Sequence, residues 1–178
     1  MQKLLKMRVS IRPPTAADGP AFLSAVRRSR PLHHPWVSPP ATPKAFVTYA
    51  ERAVLESHRG FLIIHRHTGD LVGVINVNNM IHGGFRSAFL GYYGFLPYVG
   101  QGLMSEGMEL VLRHAFRKLK LHRVEANIQP ANQPSLALVR KCGFIREGLS
   151  RRYLKICGRW KDHERWALLA DVLSIKLD

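Results

Sequence analysis

"PYVGQGLMSEGMELVLRHAF", residues 97–116, joins an aromatic, strand-like run to a helical pattern through two glycines, Gly100 and Gly102. Met104, Met108, Val111, Ala115 and Leu119 recur at helical spacing, so a helix from about Gly102 to Leu119 is predicted. The first N–H groups of a helix have no internal partner and sit at the positive end of its dipole. Glycines leave them uncovered, so an anion can approach. A plain strand-to-helix turn uses the same residues. No Lys-Ser/Thr follows Gly102, which excludes a P-loop, and Ser105 stands where a dinucleotide fingerprint needs its third glycine.

Outward from that turn the chain alternates between the two periods. "MRVSIRPPTAADGPAFLSAVRRSR" reads as a strand through Val9 and Ile11, then a helix capped near Thr15 and Asp18. "PLHHPWVSPPATP" is proline-rich and reads as a loop, followed by a second helix from about Pro43 to Ser57. "GFLIIHR", "DLVGVINVNNMI" and "FRSAFLGYYGF" form an antiparallel meander with turns at residues 67–69 and 82–84. "HRVEANIQP" is a strand, "NQPSLALVRKCGF" a short helix closing at Gly143, and the rest a hairpin turning near Cys157 and Gly158. The order β-α-α-β-β-β-α-β-α-β-β predicts one mixed α/β domain over residues 1–178.

Composition narrows the function classes. Apolar residues make up 46% of the 178, enough for a substantial core. No apolar run reaches the roughly 20 residues of a membrane span. The N-terminus lacks an apolar signal core, and two cysteines, Cys142 and Cys157, show no metal spacing, so a cytoplasmic location and no metal are expected. The charge is strongly biased: 27 Lys+Arg against 12 Asp+Glu, net +15. Such a field favours RNA, a ribonucleoprotein surface or a multiply phosphorylated ligand, and it also serves solubility.

The element order with a glycine turn after the fourth strand resembles the GNAT superfamily of acetyl-coenzyme A-dependent N-acetyltransferases. Val99-Gly100-Gln101-Gly102-Leu103-Met104 matches that family's pyrophosphate loop, with Val99 where many relatives carry Arg or Gln. Asn132 with Ser135, Gly143–Phe144, Glu147–Gly148 and the closing "CGRWKDHERWALL" resemble the ribosomal-protein-alanine (RimJ/RimL-type) branch. The resemblance runs from about Val9 to Leu169.

It implies a mostly antiparallel mixed sheet of about six to seven strands, splayed in the middle and flanked by about four helices. Acetyl-coenzyme A would lie in the splay between "FLGYYGF" and "HRVEANI". Phe95 and Leu96 would hydrogen-bond the pantetheine through their backbone, and Gly94 would mark a bulge starting the splay or a packing position. Val99, Gly100, Gln101, Gly102, Leu103 and Met104 would hold the pyrophosphate, and Asn132 the pantetheine, while also capping a helix. Ser135 would sit near the sulfur and hydrogen-bond the departing thiolate, with Tyr92 and Tyr93 as alternatives, since no Tyr follows Ser135 where many relatives carry one.

Glu125 is the candidate base, directly or through water, with a structural ion pair to Arg123 or another cation as the alternative. Trp36, Tyr92, Tyr93 and Asn127 are candidate acceptor contacts, and His33 and His34 lie in the loop at the acceptor entrance. Asp162 and His163 read as structural. The implied acceptor is the α-amino group of a protein, plausibly ribosomal. A small amine such as an amino acid, polyamine or antibiotic is a second reading. A ribosome- or RNA-associated binding protein that keeps the fold without catalysis is a third. A monomer or homodimer is expected.

Overall fold

The computed structural model describes residues 7–171. Seven strands form one sheet in the order β1-β2-β3-β4-β5-β7-β6. They are β1 (Val9–Arg12), β2 (Arg59–His65), β3 (Leu71–Ile81), β4 (Ser87–Gly94), β5 (Arg123–Ile128), β6 (Ile145–Ile156) and β7 (Arg159–Leu169). Neighbours are antiparallel except β4 and β5, which run parallel. A parallel pair needs a crossover, and the helix of the opening stretch, Leu103–Arg117, supplies it.

Among the described residues five α-helices accompany the sheet: α1 (Gly19–Arg28), α2 (Arg30–His33), α3 (Pro43–Arg52), α4 (Leu103–Arg117) and α5 (Gln133–Lys141). α4 and α5 bury Met108, Val111, Leu136 and Val139 with Val124, Ala126 and Ile128 of β5 on one face. α1 and α3 bury Phe22 and Phe46 with Leu62, Val74 and Tyr93 on the other. Gly107 lets α4 approach the sheet, since a Cβ there would meet Ile63 Cγ2 at 2.8 Å. Among the described residues no helix is long and apolar enough to cross a membrane.

Local chemistry explains most boundaries. Thr42 caps α3 by accepting from Ala45 N at 3.2 Å, with Pro43 in the first turn. Asp18 accepts from Thr15 N at 2.7 Å and binds the Arg12 guanidinium through both oxygens, at 2.8 and 2.5 Å. That pair ties β1 to the start of α1. The proline-rich stretch read as a loop begins instead with the single turn α2. Pro31 stands in its first turn, where a missing N–H is harmless and the ring's φ is already helical. α3 stops at Arg52 rather than continuing to Ser57, because Gly60 N donates to Ala53 O at 2.9 Å and draws the chain into β2.

The parallel ladder between β4 and β5 runs from Ser87↔Arg123 to Leu90↔Ala126 and stops. β4 stays on β3 as far as Gly73↔Gly94, and β5 stays on β7 as far as Ile128↔Glu164. The two strands part with both outer ladders intact, which opens the sheet from Gly91 and Asn127 onward. Gly94 is therefore no bulge. The β3–β4 ladder is regular there, its irregularity lying between Asn78 and Ile81. Gly94 is a packing position: a Cβ on it would stand 3.4 Å from Val99 Cγ1 and 3.6 Å from Met104 Cγ.

Candidate active site

The opening in the sheet leads into a cleft of about 880 Å³. One end is the glycine turn. Gly100 and Gly102 both have φ 77°, a left-handed conformation that disfavours side chains. Gly102 is the N-cap of α4. Ser105 and Glu106 both bond back to its carbonyl, so the N–H groups ahead of them emerge from the helix end. Arg8 clamps the turn from the start of β1, its backbone N and Nε donating to Glu106 at 2.7 and 2.8 Å and its Nη2 to the Gln101 carbonyl at 2.9 Å. A Cβ on Gly102 would lie 3.6 Å from Arg8 Nη2 and 3.9 Å from Lys141 Nζ. Two cations thus adjoin the space that the glycine leaves open.

Of the loop residues singled out in the sequence, Val99, Gly100, Gly102 and Met104 line the cleft. Gln101 and Leu103 do not. Gln101 Nε2 donates to the Pro97 carbonyl at 3.1 Å, holding the turn's shape, and Leu103 is wholly buried in the core. Phe95 and Leu96 also stand back from the cleft. Phe95 N donates to Val72 O at 2.8 Å and Leu96 N to Ser29 Oγ at 2.9 Å, so neither N–H is free for a ligand. The splay starts upstream of them, and the backbone that borders the gap is Gly91–Gly94.

Across the gap, Asn132 caps α5, its Oδ1 accepting from Ser135 N at 3.3 Å. This brings the Ser135 hydroxyl to 2.6 Å from Tyr92 Oη, which comes from β4. Ser135 and a strand tyrosine, alternatives in the sequence, form one hydrogen-bonded pair on the cleft wall. Burial pushes the Tyr92 phenol well above its ordinary value, so it stays protonated.

The other face of the splay carries Tyr93, Asn127, Asn76 and Asn78 together with His33 and Trp36. Tyr49 Oη donates to Asn76 Oδ1 at 3.0 Å. Tyr93 Oη and Asn127 Oδ1 are buried and unpaired. An unpaired buried polar atom carries a desolvation cost that a ligand group can relieve.

Glu125 lies elsewhere. It sits opposite Phe89 inside the closed ladder, one step before the strands part. Arg123 Nε donates to it at 2.8 Å, and the same guanidinium binds Glu147. Among the described residues that line the cleft none is Asp or Glu, whereas the cations Arg52, Arg59 and Lys141 do line it.

Residues 8–145 match the family described as "Acetyltransferase (GNAT) domain". "Probable N-acetyltransferase YjcK" of Bacillus subtilis (strain 168) is 36% identical over 126 residues, 71% of this chain and 70% of that protein. The [Ribosomal protein uS5]-alanine N-acetyltransferase of Escherichia coli (strain K12) is 37% identical over 99 residues, 56% of this chain and 51% of that protein. Among solved structures, Mycobacterium smegmatis RimJ in complex with CoA-disulfide superposes with a TM-score of 0.85 at 29% identity, over 93% of this chain and 83% of that one.

Proposed function

The chain belongs to the GNAT acetyltransferase family and is an acyltransferase; from that premise we propose that it moves the acetyl group of acetyl-coenzyme A to the α-amino group of a protein N-terminus, with a ribosomal protein as acceptor. The observation that carries this reading is the splayed β4–β5 gap with an open helix N-terminus at one end and, at the other, a polar face to which the described residues contribute no carboxylate.

Acetyl-coenzyme A supplies a thioester whose carbonyl carbon an amine can attack. The glycine turn fits its pyrophosphate: the N–H groups at the start of α4 point outward, with Arg8 and Lys141 beside them. The Val99 side chain cannot donate, which leaves that work to the backbone. The Gly91–Gly94 edge and Asn132 would hold the pantetheine arm. Tyr92 would donate to Ser135 Oγ, leaving the serine hydrogen for the departing sulfur.

The acceptor end favours a peptide. A polyamine would bring several cations to a wall that presents Arg52 and Arg59 and, among the described residues, no carboxylate. A peptide N-terminus brings one, and its backbone amides match Asn76, Asn78 and Asn127 in hydrogen-bonding chemistry. The ribosomal assignment draws on the E. coli relative's named substrate and on the net charge of +15, which suits an RNA-rich particle. Mass spectrometry of ribosomal protein N-termini from cells with and without this chain tests it. An acetyl group lost from at least one ribosomal N-terminus is the expected result. Unchanged ribosomal N-termini, with a change confined to free amines, would refute it.

A further inference from the structure

Before an amine can attack a thioester its ammonium form must lose a proton. Glu125 is held by Arg123 within the closed ladder, and the described residues around the cleft offer no carboxylate. Three histidines line it instead: His33, His58 and His163. The partners of their ring nitrogens separate them.

His58 Nε2 lies 2.5 Å from Arg52 Nη2, and a guanidinium can only donate, so that lone pair is spent on a cation. Its Nδ1 meets Ser57 Oγ at 2.8 Å. His33 Nε2 lies 2.8 Å from the Gly94 carbonyl, which can only accept, so Nε2 carries the hydrogen. The remaining lone pair, on Nδ1, is sealed from solvent among Tyr93 and Phe95. His163 Nδ1 lies 2.9 Å from the Lys161 carbonyl. By the same logic Nδ1 carries the hydrogen, and Nε2 of the neutral ring presents a lone pair. His163 itself lines the cleft. His163 is 3% exposed and stands on β7 next to Glu164, the last β7 residue paired with β5, and opposite Ser150 of β6.

Resting on the acetyl-transfer reading, we propose that His163 is the catalytic base: its Nε2 takes a proton from the acceptor's ammonium group. The freed nitrogen lone pair forms the bond to the thioester carbonyl carbon. The C–S bond breaks with its electrons on sulfur, which takes a proton from the Tyr92–Ser135 pair. The second nitrogen proton and the one held by His163 pass to solvent and to the hydroxyl pair, so one ammonium and one thioester give one amide, one thiol and one released proton.

Burial holds the His163 pKa below the ordinary histidine value, against the Lys161 carbonyl bond and the charge of Asp162, which raise it. Tyr153, whose ring lies 6.0 Å away on β6, and Lys161 and Arg165, its neighbours two residues away on β7, are further titratable or charged groups near it. The imidazole is therefore neutral at pH 7, as a base must be.

The test compares wild type with His163→Asn, which keeps a donor for the Lys161 carbonyl but lacks Nε2, and with His163→Gln. The acceptor is an alanine-initiated tripeptide. Coenzyme A affinity by calorimetry should be unchanged while kcat falls about 10²-fold or more. The wild-type rate should fall away on the acid side below the ordinary histidine pKa. Both variants should lose that limb, recover as pH exceeds the amine's own pKa of about 8, and regain activity with added imidazole. Wild-type activity in His163→Asn, or a loss that keeps the acid limb and ignores imidazole, overturns the assignment. If wild type acetylates small free amines but no peptide, the peptide reading fails, and the same profile on the best free amine decides for or against His163. If it acetylates no amine at all, both readings fall.

Discussion

Gly102→Ala separates the ligand-binding role of the glycine turn from its folding role. Gly102 has φ 77°, and a Cβ there would find its nearest neighbours at 3.6 and 3.9 Å, both ends of flexible cations. No clash arises, so the folded protein loses only the left-handed backbone penalty, about 1–2 kcal/mol. For a chain of this size that lowers Tm by roughly 2–8 °C. The strain exists with or without ligand and cancels from the binding equilibrium. What remains is the methyl group in front of the α4 N–H groups. If the pyrophosphate of coenzyme A bonds there, losing one charge-assisted hydrogen bond costs about 1.5–3 kcal/mol, or roughly 10–150-fold in Kd. Isothermal titration with coenzyme A and with pantetheine, which lacks the phosphates, reads the difference. Coenzyme A should weaken by that factor and pantetheine hardly at all. Wild-type coenzyme A affinity in Gly102→Ala, or equal weakening of both ligands, would refute the phosphate site. Gly100→Ala should behave alike, since nothing stands within 4 Å of its added Cβ.

Tyr92→Phe should lower kcat several-fold while coenzyme A affinity holds, because Ser135 loses the donor that orients its hydroxyl; steady-state kinetics with calorimetry checks the split. Glu125→Gln should leave kcat/KM unchanged and shift stability by less than about 1 kcal/mol, as expected for a partly exposed ion pair; urea melts and rate assays read both. Asp18 is held near pKa 2 by the Arg12 hydrogen bond, so it stabilises the fold above its ordinary value of 3.8. That contribution, nearer 1 than 2 kcal/mol because Arg12 is half exposed, disappears as pH falls from 3.8 toward 2, and Asp18→Asn should flatten stability across that window. Acetylation of a ribosomal substrate should fall several-fold between roughly 50 and 200 mM salt beyond the cofactor's own dependence, whereas a free small amine should show little change.

What could be read from residue order was whatever depends on neighbours in the chain. The strand in "GFLIIHR", the helix start at Pro43, the cap at Asn132 and the glycine turn ahead of α4 all appear where local chemistry requires them. What could not be read was register. Whether Glu125 faces the opening depends on where the β4–β5 ladder ends, and Leu90↔Ala126 is a long-range fact with no local signal. The end of that ladder also places the open backbone at Gly91–Gly94, upstream of Phe95 and Leu96. The Tyr92–Ser135 pair joins residues 43 apart, so the sequence could offer each but not their contact. His163 stood inside a motif that read as structural. Its access to the cleft depends on β7 lying beside β5, which only the sheet order reveals.

The central claim is that the splay between β4 and β5 transfers acetyl groups to α-amines, and a single-turnover reaction tests it most directly. The purified chain is mixed with acetyl-labelled coenzyme A and an alanine-initiated peptide, and the peptide is mapped by fragmentation mass spectrometry while free thiol is counted. The account predicts the label on the α-nitrogen alone, one thiol released per label transferred, and a slower transfer by the Tyr92→Phe chain at equal coenzyme A occupancy. Saturated coenzyme A binding with no label on any peptide or small amine would contradict it.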